Sequence, residues 1–196
     1  MLLTLFLFIF AIGLGHRLIR GVVETWSWPE RIAFSGALGL GIFAYGILGL
    51  GLLGGLKWPL WAFTATFILL SLPETLRLAR EIKTPRPTLS GILIGLGLLV
   101  FGVITLLGVI SPADSSEWDT IAYHLAVPKL YLEAGRIYYI PYIHHSNFPS
   151  TVEMLYTWGL AINGQSAAKA FHWLFGWMMF LGAAGFAVRQ SNGKAT

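Results

Sequence analysis

The chain has 196 residues, 56% of them hydrophobic and only 11% charged, with a mean hydropathy of +0.69 and a formal net charge of +4. Soluble domains carry roughly a quarter charged residues, so a water-soluble globule is excluded; the modest positive balance, with no Lys/Arg run interleaved with aromatics, gives no footing for nucleic acid. The absence of cysteine excludes disulfides and thiolate metal sites.

Apolar runs alternate with short charged patches. Crossing a hydrocarbon core of ~30 Å takes ~20 helical residues, and runs of that length predict an all-α, polytopic membrane protein with spans over 2–23, 32–55, 58–78, 89–110 and 167–188. Helix is required because backbone groups in lipid must be satisfied within the segment, and nothing alternates like a barrel strand. The first run lacks a basic leader and runs into Gly15-His16-Arg17 rather than a small-residue cleavage site, so it reads as a retained span. Glycines at 36, 39, 41, 49 and 51 permit close helix approach in lipid. Pro73, Pro85 and Pro87 are expected to end the third helix and stiffen the turn after it. The spans look almost free of charge, which argues against a transporter. The chain thus divides into four spans over 1–110, a polar segment over 111–164, and a fifth span with its tail over 165–196.

Cations set the expected orientation. Arg17, Arg20 and Arg31, then Arg77, Arg80, Lys83 and Arg86, then Arg189 and Lys194 all fall on one side of the spans. The other side holds Lys57 and the 111–164 segment, in which Asp114, Glu117, Asp119, Glu133 and Glu153 outnumber Lys129 and Arg136. The positive-inside rule then places 111–164 outside the cytoplasmic (inner) membrane.

A connection this long in a compact protein is usually functional. Within it, 119–133 reads as a helix lying along the interface, with Ile121, Leu125 and Leu132 near one face and Tyr123, His124, Lys129 and Tyr131 elsewhere around it. A second short helix is expected to begin at Pro149, run through Glu153, Tyr156 and Trp158, and return to the membrane. A carboxylate at headgroup depth, Asp119 above all, could take a proton from a hydroxyl. Yet Ser116-x-x-Asp119 and Ser150-x-x-Glu153 also fit capping boxes, which would give both acids a structural task. Adjacent His144 and His145 lack the usual metal-ligand spacing, so a divalent metal is not supported; anion or headgroup contact, with Asn147, Lys129 and Arg136 nearby, is the alternative. His172 is expected to face a neighbouring helix.

The run Glu117-Trp-Asp-Thr-Ile-Ala-Tyr-His-Leu-Ala-Val-Pro-Lys-Leu-Tyr-Leu-Glu-Ala-Gly-Arg136, followed by His145-Ser-Asn-Phe-Pro-Ser-Thr-Val-Glu-Met-Leu-Tyr156, resembles the first extracytoplasmic loop of bacterial GT-C superfamily glycosyltransferases. The resemblance covers roughly 111–176. It implies transfer of a sugar from a polyprenyl-phosphate donor to an acceptor hydroxyl at the outer face of the bilayer, with inversion. By position, Asp119 corresponds to the basic aspartate of the family, with Glu117 or Asp114 as substitutes. Tyr123, His124, Lys129, Arg136, His144, His145 and Glu153 would contact substrate. Family members usually have more spans and place the acidic loop after the first one. This chain is therefore expected to need further transmembrane helices or a partner subunit. The competing expectation is a non-catalytic membrane subunit that binds lipid headgroups or a partner protein.

Overall fold

The computed structural model describes residues 1–81 and 88–193, so Pro85, Pro87, Lys83, Arg86 and Lys194 lie outside the described residues. Among the described residues every regular element is helical: α1 Leu2–Val23, α2 Trp28–Leu52, α3 Trp58–Glu81, α4 Leu89–Ile110, α5 Ala126–Ala134, α6 Thr151–Asn163 and α7 Gln165–Gly193. A π-helical turn, Thr120–His124, precedes α5, and a 3-10 turn, His144–Asn147, precedes α6. Five of the helices, α1 to α4 and α7, are long and apolar enough to cross a membrane.

Helix ends differ from the hydropathy reading where capping decides them. α2 begins at Trp28 rather than residue 32: Pro29 suits a first turn, and the Glu30 carboxylate accepts from the Ser27 backbone N–H at 3.0 Å and from its hydroxyl at 2.9 Å. Pro73 does not end α3, which continues to Glu81. A proline removes one backbone donor. Around it the Ser71 and Thr75 hydroxyls donate to the carbonyls of Phe67 (2.6 Å) and Ser71 (2.9 Å), back-bonds within the helix that flank the proline.

α1 and α2 pack most extensively. Their backbones touch because Gly15 and Gly39 have no Cβ: one added at Gly39 would overlap the Ala11 carbonyl, and one at Gly15 the Ser35 carbonyl. α3 rests on α1, and α7 lies across α2 and α1, where the Thr4 hydroxyl donates to the Ala167 carbonyl at 3.0 Å. α4 has its main packing on α7.

α6 is more deeply packed than its composition suggested, for it is a core element: Met154, Leu155, Tyr156, Thr157, Trp158 and Gly159 are all buried, against α7, α2 and α5. Gly159 lets α6 approach the backbone of Ala167 and Ala168, and Trp158 inserts between Phe43 and Phe171 while its Nε1 donates to Thr64 Oγ1 at 3.0 Å. α6 begins at Thr151, not at Pro149. α5 is tied down through its αL cap, Gly135 (φ 72°): the Leu56 N–H donates to the Gly135 carbonyl at 3.0 Å and the Ile137 N–H to the Gly51 carbonyl at 2.8 Å.

The spans also hold more buried charge than their hydropathy suggested. Glu30 is 2% exposed and pairs with Arg189 Nη2 at 2.9 Å. At the same end of the bundle His16 bridges Glu74 (Nδ1 to Oε1, 2.9 Å) and Arg31 (Nε2 to Nη2, 2.9 Å). A guanidinium only donates, so His16 Nε2 accepts and Nδ1 donates to Glu74.

Candidate functional site

Where α4 finishes and α7 begins, the bundle opens into a cavity of about 580 Å³. α4 contributes Thr105, Gly108 and Val109, the connection after it Glu117, the π-helical turn Thr120 and His124, α6 Glu153 and Tyr156, and α7 Lys169, His172 and Trp173. One face of α7, repeating every four residues, fastens it to α4. Gln165 Oε1 accepts from the Ala113 N–H (3.2 Å), Lys169 Nζ donates to the Ser111 carbonyl (3.2 Å), and Trp173 Nε1 donates to Thr105 Oγ1 (2.9 Å). One turn further on, Trp177 packs edge-on against Phe101.

Three polar pairs line this cavity. Lys169 Nζ meets Glu117 Oε1 at 2.8 Å, with side-chain exposures of 14% and 33%. His124 Nδ1 meets Glu153 Oε1 at 2.8 Å, with exposures of 34% and 16%. The Tyr156 hydroxyl meets His172 Nδ1 at 3.2 Å. Burial first, and the charge of Glu153 second, push the Tyr156 hydroxyl up to about 12, so it stays a neutral donor at any ordinary pH. An ionised carboxylate only accepts, so His124 Nδ1 is the donor to Glu153. Among the described residues His124 Nε2 has no hydrogen-bond partner. His124 also sits in the π-helical turn, closed by Leu125 N–H to the Thr120 carbonyl at 2.9 Å, and such single-turn irregularities are frequent at functional sites.

A smaller cavity of about 330 Å³ shares the His124–Glu153 pair and is walled by Tyr123, His124, Val127, His145, Phe148, Pro149, Ser150 and Glu153. Tyr123 and His145 stack there with ring centroids 4.1 Å apart and planes within 2°. Loss of hydration raises the Tyr123 hydroxyl, as do the charges of Asp119 and Glu153 and a hydrogen bond to Asp119. A third hollow, about 650 Å³ between α2 and α7, is lined mainly by apolar side chains, and its two charged groups, Glu30 and Arg189, are committed to each other.

The sequence candidates therefore separate. Glu117, His124 and Glu153 line the larger cavity, and Tyr123, His124, His145 and Glu153 the smaller. Asp119 is exposed, lines neither, and is engaged with Tyr123. Lys129 and Arg136 are exposed and away from both cavities, Lys129 lying 4.0 Å from Glu133. His144 is exposed and rests against His145, centroids 3.8 Å apart. Neither capping box over the candidate acids forms. Ser116 donates through its N–H and hydroxyl to Asp114 (2.7 and 2.6 Å), which holds that exposed carboxyl below its ordinary range, and Ser150 donates to the Phe148 carbonyl. Asp119 and Glu153 are thus not spent on helix ends. His172 does face a neighbouring helix, through Tyr156. Among the described residues no three His, Asp or Glu side chains gather as a metal-holding group.

Lys169, Tyr156 and His172 are the cavity residues that spacing did not single out as substrate contacts. Lys169 carried a signal: a lone cation inside a predicted span is expensive unless it has a partner or a task.

Comparison with models of known protein families, with curated proteins and with solved structures finds no match to this chain.

Proposed function

We propose that this protein is a membrane glycosyltransferase, or the N-terminal part of one, that takes a sugar from a polyprenyl-phosphate donor and passes it to an acceptor hydroxyl. It sits in the cytoplasmic membrane with the basic helix ends inside and 111–164 outside, as the positive-inside rule directs. One observation carries the proposal: the cavity at the 111–164 end combines the Lys169 ammonium, two carboxylates and two imidazoles with an apolar wall from α4 and α7. A lipid-linked sugar phosphate needs both. Its chain lies against apolar helix surface, and its phosphate meets a cation at the membrane boundary.

In this arrangement Lys169 releases Glu117 to engage the donor phosphate and stabilise the charge that develops as the sugar–phosphate bond breaks. The Tyr156 hydroxyl and His172 supply further polar contacts. The resemblance gives the proton-accepting role to Asp119, which is exposed and lines neither cavity.

The experiment is transfer of radiolabelled sugar from a polyprenyl-phosphate donor in membranes holding the full chain, compared with Lys169→Met and Asp119→Asn. Lys169→Met is expected to abolish transfer, and Asp119→Asn to reduce it. Transfer that is indifferent to Lys169 would refute the placement of the donor.

A second function is favoured by a different observation: both acids of the larger cavity already have ion-pair partners, Lys169 and His124. A non-catalytic subunit binding lipid headgroups or a partner protein would need nothing more of them, and would retain polyprenyl phosphate without transferring a sugar.

A further inference from the structure

Glu117 with Lys169 occupies one side of the larger cavity, but the His124–Glu153 pair belongs to both cavities. A side chain that is wall to two adjoining cavities touches whatever fills each of them. The two cavities also differ in kind. The larger holds the ammonium and the long apolar helix faces, whereas the smaller holds no cation and is edged by Tyr123, His145 and Phe148 around Ser150. That lining suits a neutral, ring-shaped, hydroxylated ligand, and about 330 Å³ lies at the low end of ordinary ligand sites.

We infer that the smaller cavity is the subsite for a sugar-like acceptor, and that His124, oriented by Glu153, is the base that takes the acceptor's proton. This inference rests on the transferase proposal above and assigns its second substrate and its base. The geometry supplies each part. Glu153 holds the ring through Nδ1 at 2.8 Å, which leaves the Nε2 lone pair free to accept. As the acceptor hydroxyl gives its proton to Nε2, its oxygen attacks the anomeric carbon and the carbon–oxygen bond to phosphate breaks. The electron pair leaves on the phosphate beside Lys169. The products are the new glycoside, polyprenyl phosphate, and a His124 imidazolium that Glu153 stabilises until the proton passes to water. His124 is then the catalytic residue and Glu153 a positioning residue.

The test uses the full chain in detergent micelles with radiolabelled polyprenyl-phosphate glucose as donor and methyl glucoside as acceptor. Donor retention is read by co-elution, acceptor binding by saturation-transfer NMR, and transfer by product formation. His124→Asn is expected to lose transfer by about 100-fold or more, the scale of a removed general base, and by far more than it weakens donor retention. Glu153→Gln is expected to lower kcat without raising the KM for methyl glucoside. Phe148→Ala is expected to raise that KM, and to weaken the saturation-transfer signal, with donor retention unchanged. Wild-type protein that neither retains nor transfers the donor overturns the transferase proposal itself. Transfer by His124→Asn within twofold of wild type overturns only the base. If wild type retains the donor without transferring, a saturation-transfer signal that vanishes in Phe148→Ala still supports the subsite, and one that is absent from wild type or unchanged in the variant refutes it.

Discussion

Replacing Trp158 examines the placement of α6 in the core. The side chain is 2% exposed, its ring centroid lies 5.8 Å from Phe43 and 5.9 Å from Phe171, and its Nε1 donates to Thr64 Oγ1 at 3.0 Å. Removing a buried Trp side chain costs ~3–5 kcal/mol in soluble cores. Trp158→Ala is therefore expected to cost about 3 kcal/mol. Trp158→Phe keeps most of the ring contact and loses the hydrogen bond. Thr64 is not stranded by that change, because its hydroxyl still donates to the Leu60 carbonyl at 2.8 Å. The bond itself is therefore worth about 0.6–1 kcal/mol. A double-mutant cycle of Trp158→Phe with Thr64→Val should return a coupling energy of that size. The assay is reversible unfolding in mixed micelles titrated with a denaturing detergent. A Trp158→Ala variant within about 0.5 kcal/mol of wild type, the range of surface substitutions, would refute the core assignment.

Gly39→Leu should prevent stable assembly, because its side chain starts inside the Ala11 carbonyl, whereas Gly41→Ala, which meets nothing, should fold normally; comparable folded yields on detergent extraction would contradict the crossing. Arg189→Gln leaves Glu30, 2% exposed, with Ser27 alone as partner and should cost about 3 kcal/mol or less given the partial exposure of Arg189, while Glu30→Gln with Arg189→Gln together should recover part of it in the same unfolding assay. Tyr156 has a folded pKa raised to about 12 against an ordinary 10, so its neutral form contributes stability that is fully present below pH 10 and lost as pH rises through 12. That shift corresponds to about 3 kcal/mol. Tyr156→Phe should therefore flatten the alkaline loss of stability, and a spectrophotometric tyrosinate titration should lose a step near pH 12; an unchanged profile would mean the hydroxyl is hydrated.

Five membrane-length helices were legible because hydropathy is a sum over some twenty neighbours, and no single contact can overturn it. Their ends were less so. Pro29 and Glu30 extend α2 by local capping that hydropathy does not register, and Pro73 stays inside α3 instead of ending it. The burial of α6 was not legible because a 13-residue helix carrying Glu153, Tyr156 and Trp158 has the length and composition of an interfacial helix. Its burial comes from lateral packing on α2 and α7, which no local pattern encodes. The site divides in the same way. Glu117, His124 and Glu153 could be named as polar groups in an apolar chain, but their pairings span 29 residues for His124 and Glu153 and 52 for Lys169 and Glu117. Spacing arguments end at a few helical turns, so Ser150-x-x-Glu153 looked like a cap, and nothing near Lys169 in sequence pointed to Glu117.

The joining of α7 to α1 and α2 has a consequence for biogenesis. A ribosome delivers Glu30 long before Arg189, 159 residues later, and Thr4 waits 163 residues for the Ala167 carbonyl. Until α7 inserts, the nascent α1–α2 hairpin carries a carboxylate whose cationic partner does not yet exist, and an unpartnered acid is costly to hold in a membrane. The pairing of Glu30 therefore waits on the insertion of α7, and a chain stalled before that helix presents the acid without its cation.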